Sequence, residues 1–151
     1  MVTVLIFLFV RIHSDPTPVY EELAFEYFFG TIWKQKYNGE KLVEFDRRTD
    51  SRISLGLIYG CRTWEEQFKQ DFEKGRTTEV VELPSKLPNV TIRKMSDSKR
   101  LKLKIGAKVK VGDVYIIQLV VYKPLEFVDH YFLKFDLDGN IIDKCEFNEV
   151  I

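Results

Sequence analysis

The last third of the chain alternates regularly between apolar and polar residues. From Leu101 to Val111 every odd position is apolar, and every even position except Gly106 is a lysine. Because strand side chains alternate between the two faces of a sheet, this pattern predicts a strand with one buried face and one lysine face. Val114 to Val121 is apolar on both faces except at Gln118, which is typical of a central strand. The lysines of the first strand are Lys102, Lys104, Lys108 and Lys110.

Two further strands complete the pattern. Phe127 to Phe135 and Ile141 to Phe147 are rich in residues that favour strands, and Asp138-Gly139 lies between them. Glycine tolerates the positive φ that tight hairpins require, so we predict a hairpin turn here. The four strands, joined by short turns, form a meander.

Two registers are compatible with this hairpin. A two-residue loop would place Phe132 opposite Cys145, whereas a longer loop would place Phe135 opposite Ile141. We favour the longer loop, because it matches large apolar partners and leaves Asp136 free to accept hydrogen bonds from the amides of the turn.

A long apolar helix is predicted ahead of the meander. Thr17 can cap it, Pro18 suits its first turn, and Asn38-Gly39 ends it after about 20 residues. The segment is apolar nearly all round, so we expect other elements to cover it on more than one side. We interpret it as the helix that packs across the sheet.

A second, shorter helix follows. Thr63 and Glu66 have the spacing of a capping box, the aromatic residues Trp64, Phe68 and Phe72 repeat every four positions, and a glycine ends the helix. Short strands are predicted around these helices at Leu42–Phe45, Ile53–Tyr59, Thr78–Leu83 and Val90–Met95.

The order of these elements predicts an α+β fold. We expect the long N-terminal helix and the second short helix to pack on one face of a mainly antiparallel sheet that ends in the four-strand meander. In element order, Pro18 to Ile151 resembles the cystatin-like grip and the nuclear-transport-factor-like cone, which both wrap a sheet around an N-terminal helix. No motif accompanies this resemblance, so it implies no site residues.

The first residues allow two interpretations. Val2 to Val10 is apolar apart from Thr3, which is too short for a bilayer span of about 20 residues but sufficient for a secretory leader. We therefore predict a leader over residues 1–14, a single α+β domain over 15–151, and export to a periplasmic or extracellular location. No lysine or arginine precedes the run and Arg11–Ser14 is a poor cleavage site, so the alternative is a core strand of a cytoplasmic protein.

Charge and composition limit the partners. The 151 residues carry 23 basic and 23 acidic side chains, so net charge indicates no polyanionic partner. Basic residues concentrate between Arg93 and Lys110 and acidic residues between Glu126 and Glu149, so neighbouring strands are expected to complement each other. The lysine face lacks the exposed aromatic residues that stack on bases. We expect neither nucleic-acid binding nor a transmembrane span.

Three groups of residues are candidates for chemistry. Cys61 precedes the second helix, where it could be a reactive thiol, a buried thiol or a partner of Cys145 in a single disulfide. Asp129 and His130 are adjacent, but neighbours in a strand point to opposite faces, so we expect no catalytic pair. The residues around Gly139 resemble a calcium loop, yet their spacing does not match the calcium template and a hairpin explains them. The polar residues in question are Asp136, Asp138 and Asn140.

The sequence therefore assigns no catalytic residue, no cofactor site and no metal site. We expect a non-enzymatic, exported binding module that uses the concave face of the sheet or its rim, with a protein or a small ligand as its partner. Two alternatives remain open: a small enzyme with a pocket between the first helix and the sheet, and a cytosolic inhibitor or immunity-type protein.

Overall fold

The computed structural model describes residues 17–38, 42–45, 48–49, 55–75, 81–83, 91–92 and 101–150. Residues 42–45, 55–56 and 91–92 are described by their backbone alone. The predicted leader over residues 1–14, and the predicted start of the domain at residue 15, lie outside these ranges.

The N-terminal helix is continuous and contains a π-helical turn. Helix α1 (Tyr20–Tyr27) leads into the π turn (Phe28–Ile32) and then into α2 (Trp33–Lys36). The helix begins after Val19 with no side-chain cap, so the predicted cap at Thr17 is wrong. Acidic residues in the first turn and lysines in the last still suit the helix dipole.

The second helical region differs from its prediction in two ways. Within the predicted strand Ile53–Tyr59, the described residues belong to a 3-10 helix (Leu55–Gly60), because Leu57 and Ile58 pack their side chains in a core on the sheet. Helix α3 (Glu66–Lys74) begins after Glu65 without a side-chain cap, so the Thr63 capping box does not form.

One seven-stranded sheet holds these helices. The strands are β1 (Leu42–Phe45), β2 (Thr91–Ile92), β3 (Leu101–Ile105), β4 (Val109–Val111), β5 (Val114–Lys123), β6 (Phe127–Phe135) and β7 (Ile141–Val150). Their order is β2-β1-β3-β5-β6-β7, and β4 pairs with β5 beside β3. The β1 pairings are parallel and the others antiparallel, which confirms the predicted α+β class and meander.

Two of the shorter predicted strands are present in part. The strand expected over Val90–Met95 is reduced to β2 among the described residues. Within Thr78–Leu83, Glu82 makes an isolated bridge to Arg48, and residues 78–80 lie outside the described ranges.

A bulge separates β3 from β4 and exchanges the faces of the sheet to which odd- and even-numbered side chains point. Ile105 pairs with Leu119, but Val109 pairs with Ile116, so one extra residue enters between them. A shift of one residue moves every following side chain to the other face. The predicted single face of four lysines is therefore wrong: Lys102 and Lys104 lie on one face, and Lys108 and Lys110 on the other.

The two helices pack on opposite faces of the sheet. Adjacent β6 residues show this, because Tyr131 contacts Phe28 of the long helix whereas Phe132 contacts Phe72 of α3. The expectation that both helices share one face is thus corrected, although both do pack against the mainly antiparallel sheet. Each face has its own apolar core. The strand residues of the first core are Leu101, Leu103, Ile105, Ile117, Leu119, Val121, Tyr131, Leu133 and Phe135, and those of the second are Val109, Val111, Ile116 and Phe132.

Helix α1 supplies a hydrogen-bond acceptor to the bulge. The amide of Lys108 lies between β3 and β4, and it donates to Glu21 Oε1 at 2.9 Å. Glu21 is fully buried, and its Oε2 has no hydrogen-bond partner. A buried main-chain amide without an acceptor is costly, so this carboxylate couples the start of the helix to the bulge.

The β6–β7 hairpin combines both predicted registers. Phe135 pairs with Ile141, as favoured, and a second bulge immediately afterwards lets Phe132 pair with Cys145. Asp136 accepts hydrogen bonds from the turn as expected, and the glycine at 139 has a φ of +88°.

Gly139 and Gly112 form a matched pair for a stability test. Both have positive φ, but a Cβ at Gly139 would lie 2.7 Å from Leu23 Cδ1 and 3.2 Å from Pro18 Cβ, whereas a Cβ at Gly112 meets nothing within 4 Å. We expect Gly112→Ala to lower the free energy of unfolding by about 1 kcal/mol through backbone strain, and Gly139→Ala to lower it further. Urea denaturation measures both, and equal losses would contradict the packing of the helix start on the hairpin.

Glu21 offers a second test. Glu21→Ala removes the acceptor of the Lys108 amide and should lower the free energy of unfolding by about 1–3 kcal/mol. Glu21→Gln keeps an acceptor oxygen without a buried charge, so it should retain most of the stability. Glu22→Ala, in the same helical turn, serves as the control. A result in which alanine and glutamine at position 21 behave alike would show that the hydrogen bond to the bulge is unimportant.

Candidate functional site

A buried polar cluster lies where α2 meets β6. The Tyr37 hydroxyl donates to Asp129 Oδ2, and the Tyr131 hydroxyl lies 2.7 Å from the Tyr37 oxygen. Since the Tyr37 proton is used on Asp129, Tyr131 donates to Tyr37. Lys36 Nζ completes the cluster at 3.4 Å from Asp129 Oδ2 and 5.4 Å from the centre of the Tyr131 ring.

The electrostatics of this cluster oppose ionisation of its phenols. Burial, followed by the hydrogen bond to Asp129, raises the pKa of Tyr37 far above its ordinary value. Burial also raises the pKa of Tyr131, although its contacts with Tyr37 and Lys36 act in the opposite direction. Burial by itself would lower the pKa of Lys36, but Tyr131 and Asp129 hold it above the ordinary value. The cluster thus pairs one carboxylate with one ammonium and fixes the end of the helix to the sheet.

Asp129 and His130 are separated by the sheet, as their adjacency predicts. Asp129 faces the long helix, whereas His130 lies on the opposite face and stacks on Phe147 with ring centres 4.8 Å apart. His130 Nε2 is 3.5 Å from Glu149 Oε2, and the His130 side chain is 3% exposed. The stacking on Phe147 accounts for the burial of His130.

The structure also shows the interactions of the other candidate residues that were named from the sequence. Cys61 and Cys145 form a disulfide across 84 residues, so neither sulfur is a free thiol. Asp136 accepts hydrogen bonds from the amides of Asp138 and Asn140, which makes it the organiser of the hairpin. Within the described ranges, no group of three or more histidine, cysteine, aspartate or glutamate side chains is placed to hold a metal ion.

A cleft of about 410 Å³ opens beside the disulfide. The turn that follows the 3-10 helix forms one wall and β7 forms the other. A Cβ at Gly60 would overlap the Phe147 ring, so glycine allows this turn to lie directly on the ring. Arg62 and Thr63 are exposed, and their side chains have no partner within the described part of the chain. The lining residues are Gly60, Arg62, Thr63, Cys145, Glu146, Phe147 and Asn148.

The main chain of β7 is open on the side away from β6. The Lys144 amide donates to its neighbour Asp143 Oδ1 at 2.8 Å, so it points away from the β6 ladder. Main-chain groups alternate in direction along an antiparallel strand, so the amides and carbonyls of Glu146 and Asn148 point the same way. Among the described residues, β7 pairs with β6 alone.

No pattern in the sequence indicates this cleft directly. The sequence places Thr63 in a predicted capping box and Arg62 in no motif, and both line the cleft with Glu146 and Asn148 because the disulfide joins two distant segments. In the sequence, only the possible disulfide between Cys61 and Cys145 indicated that these two segments could lie close together.

Comparison with protein-family models, curated proteins and solved structures finds no match for the chain. Among the described residues, no helix has both the length and the apolar character needed to cross a membrane.

The buried cluster predicts a specific loss of stability. Tyr37→Phe removes the donor to Asp129 and should lower the free energy of unfolding at neutral pH by about 1.5–3 kcal/mol. Because the pKa of Tyr37 is raised in the folded state, its contribution persists below the unfolded tyrosine pKa of about 10 and is lost as the pH rises above it. The free energy of unfolding, measured by urea denaturation at a series of pH values, should therefore fall less steeply above pH 10 for the variant than for the natural protein.

Tyr27→Phe is the matched control for this experiment. Among the described residues, the Tyr27 hydroxyl contacts Lys144 Nζ at 3.4 Å, and its loss should change the stability little. Similar losses in the two variants would mean that the hydroxyl of Tyr37 contributes no more than a surface group.

Proposed function

We propose that this protein is an exported, non-enzymatic binding module that holds its partner in the cleft beside the Cys61–Cys145 disulfide. The observation that carries this proposal is a concave site with an aromatic floor, exposed polar groups that have no partner among the described residues, and a main-chain edge that no described strand covers. Apolar walls with a few convergent polar groups are typical of binding sites. Arg62 and Thr63 supply the polar groups, and Phe147 the floor.

Packing between the first helix and the sheet supports binding over catalysis. A small enzyme would need room there, but the space is occupied by aromatic side chains in mutual contact, such as Phe28, Phe29 and Trp33. The ionisable groups at the end of the helix are bonded to one another, so none is available to act on a substrate.

The disulfide supports export. Such bonds persist in oxidising compartments and are rare in the cytosol, where thiols are kept reduced. Closing a loop of this size stabilises a chain by about 4–5 kcal/mol in the entropic description. A cytosolic inhibitor would fold without this contribution, and its cleft would lose the bond that holds the two walls together.

A photo-crosslinking experiment tests the binding site. Benzoylphenylalanine replaces Thr63 in the cleft or, as a control, Asp113 in the exposed turn after β4, and each oxidised full-length protein is added to the extracellular fraction of the native cells. We expect a discrete adduct from position 63 that Arg62→Glu weakens, and none from position 113. Equal adducts from both positions, or none from position 63, would contradict the proposal.

Thiol labelling of the natural protein in its own cells tests the location. We expect both cysteines to react with a maleimide only after reduction. Labelling without a reductant would place the protein in a reducing compartment and would overturn its export.

A further inference from the structure

The edge strand β7 is long and regular. From Asp143 to Val150 it pairs with β6 without interruption and contains no proline. Proteins commonly protect such edges with prolines, lysines or bulges, because unpaired main-chain groups attract another strand. Here the bulge lies at the beginning of β7, and Lys144 is the single lysine of the strand. Within the part of the chain that the structure describes, most of this edge therefore has no such protection.

The open main chain coincides with the cleft. The outward amides and carbonyls of Glu146 and Asn148 lie where the turn at Arg62 and Thr63 faces β7. A strand placed against this edge would make main-chain hydrogen bonds and would direct alternate side chains towards the cleft. The aromatic floor formed by Phe147 would receive an apolar side chain of that strand.

Charge determines which kind of strand fits. The hairpin and β7 carry five carboxylates and one ammonium between Asp136 and Val150. Glu146 has no ion-pair partner within the described part of the chain, and its side chain projects from the face opposite Phe147. A basic residue next to an apolar one on the added strand would meet Glu146. A second copy would bring the same excess of carboxylates against this edge, which disfavours self-pairing. The charged residues are Asp136, Asp138, Asp143, Lys144, Glu146 and Glu149.

We propose that the partner of β7 is an extended peptide segment with alternating basic and apolar residues, which adds to the sheet as a further strand. This inference rests on the proposed binding function and specifies its partner. Main-chain pairing supplies affinity, while the cleft and Glu146 select the side chains.

Capped synthetic peptides test the proposal with the oxidised full-length protein. The probe alternates lysine and valine over about nine residues, the length of a strand that spans β7. One control replaces lysine with glutamate, and the other carries N-methyl groups on alternate residues, which removes donors without changing the protein. Fluorescence anisotropy should show the lysine–valine peptide binding at least about tenfold more tightly than either control. Equal binding of the glutamate or the N-methylated peptide would overturn the proposal.

Two substitutions locate the contact. Asn148→Pro removes an outward amide without breaking the β6 ladder, and it should weaken binding at least about tenfold relative to Asn148→Ala. Glu146→Lys should weaken the lysine–valine peptide and strengthen the glutamate peptide. If proline and alanine at position 148 bind alike, the peptide does not pair with β7. A shift of the Glu146 and Asn148 amide resonances on peptide addition tests the same point in the unaltered protein, and unchanged resonances would count against it.

Two further outcomes separate this inference from the proposed function. If the Thr63 crosslink forms but the lysine–valine peptide does not compete with it, the cleft binds a different partner and the inference fails alone. If sedimentation shows a dimer that Asn148→Pro dissociates, a second copy occupies the edge and the peptide proposal is wrong.

Discussion

The central constraint in this structure is that the β5–β6 pair is buried on both sides. Tyr131 packs under the long helix and Phe132 under α3, so two successive residues of one strand belong to two different cores. Every neighbouring strand must then present the correct face to each core. The bulge after Ile105 achieves this because it moves the apolar side chains to the other face of the sheet. As a result, β3 completes the first core and β4 the second. Glu21 accepts a hydrogen bond from the Lys108 amide, which the bulge leaves outside the hydrogen-bonded ladder.

The two faces are secured by different chemistry. On the first face, the end of the helix is anchored by hydrogen bonds among Tyr37, Asp129 and Tyr131, all of which are buried. On the second face, a covalent bond between Cys61 and Cys145 holds the turn above β7. The cleft lies beside that bond, which joins its two walls covalently.

The sequence predicted the features that depend on local periodicity. Alternation identified β5, β6 and β7, and the requirement of Gly139 for positive φ identified the hairpin. Prediction from the sequence was wrong or incomplete where contacts between distant segments determine the structure. The odd-numbered apolar residues of β3 and β4 form one unbroken pattern, and the bulge between them is imposed by the two cores that the strands must serve. The cleft was equally hidden, because residues far apart in the chain form its walls.

The separation in sequence between the long helix and its partner strands has a consequence for synthesis of the protein. Tyr37 meets Tyr131 across 94 residues, and Tyr20 bonds to the carbonyl of Leu137 across 117. The aromatic surface of the helix therefore leaves the ribosome long before β5 and β6 exist to cover it. Exposed apolar surface of this kind promotes aggregation in partly made chains. Neither core can close until translation has reached the final meander, so the nascent chain exposes this helix during most of its synthesis.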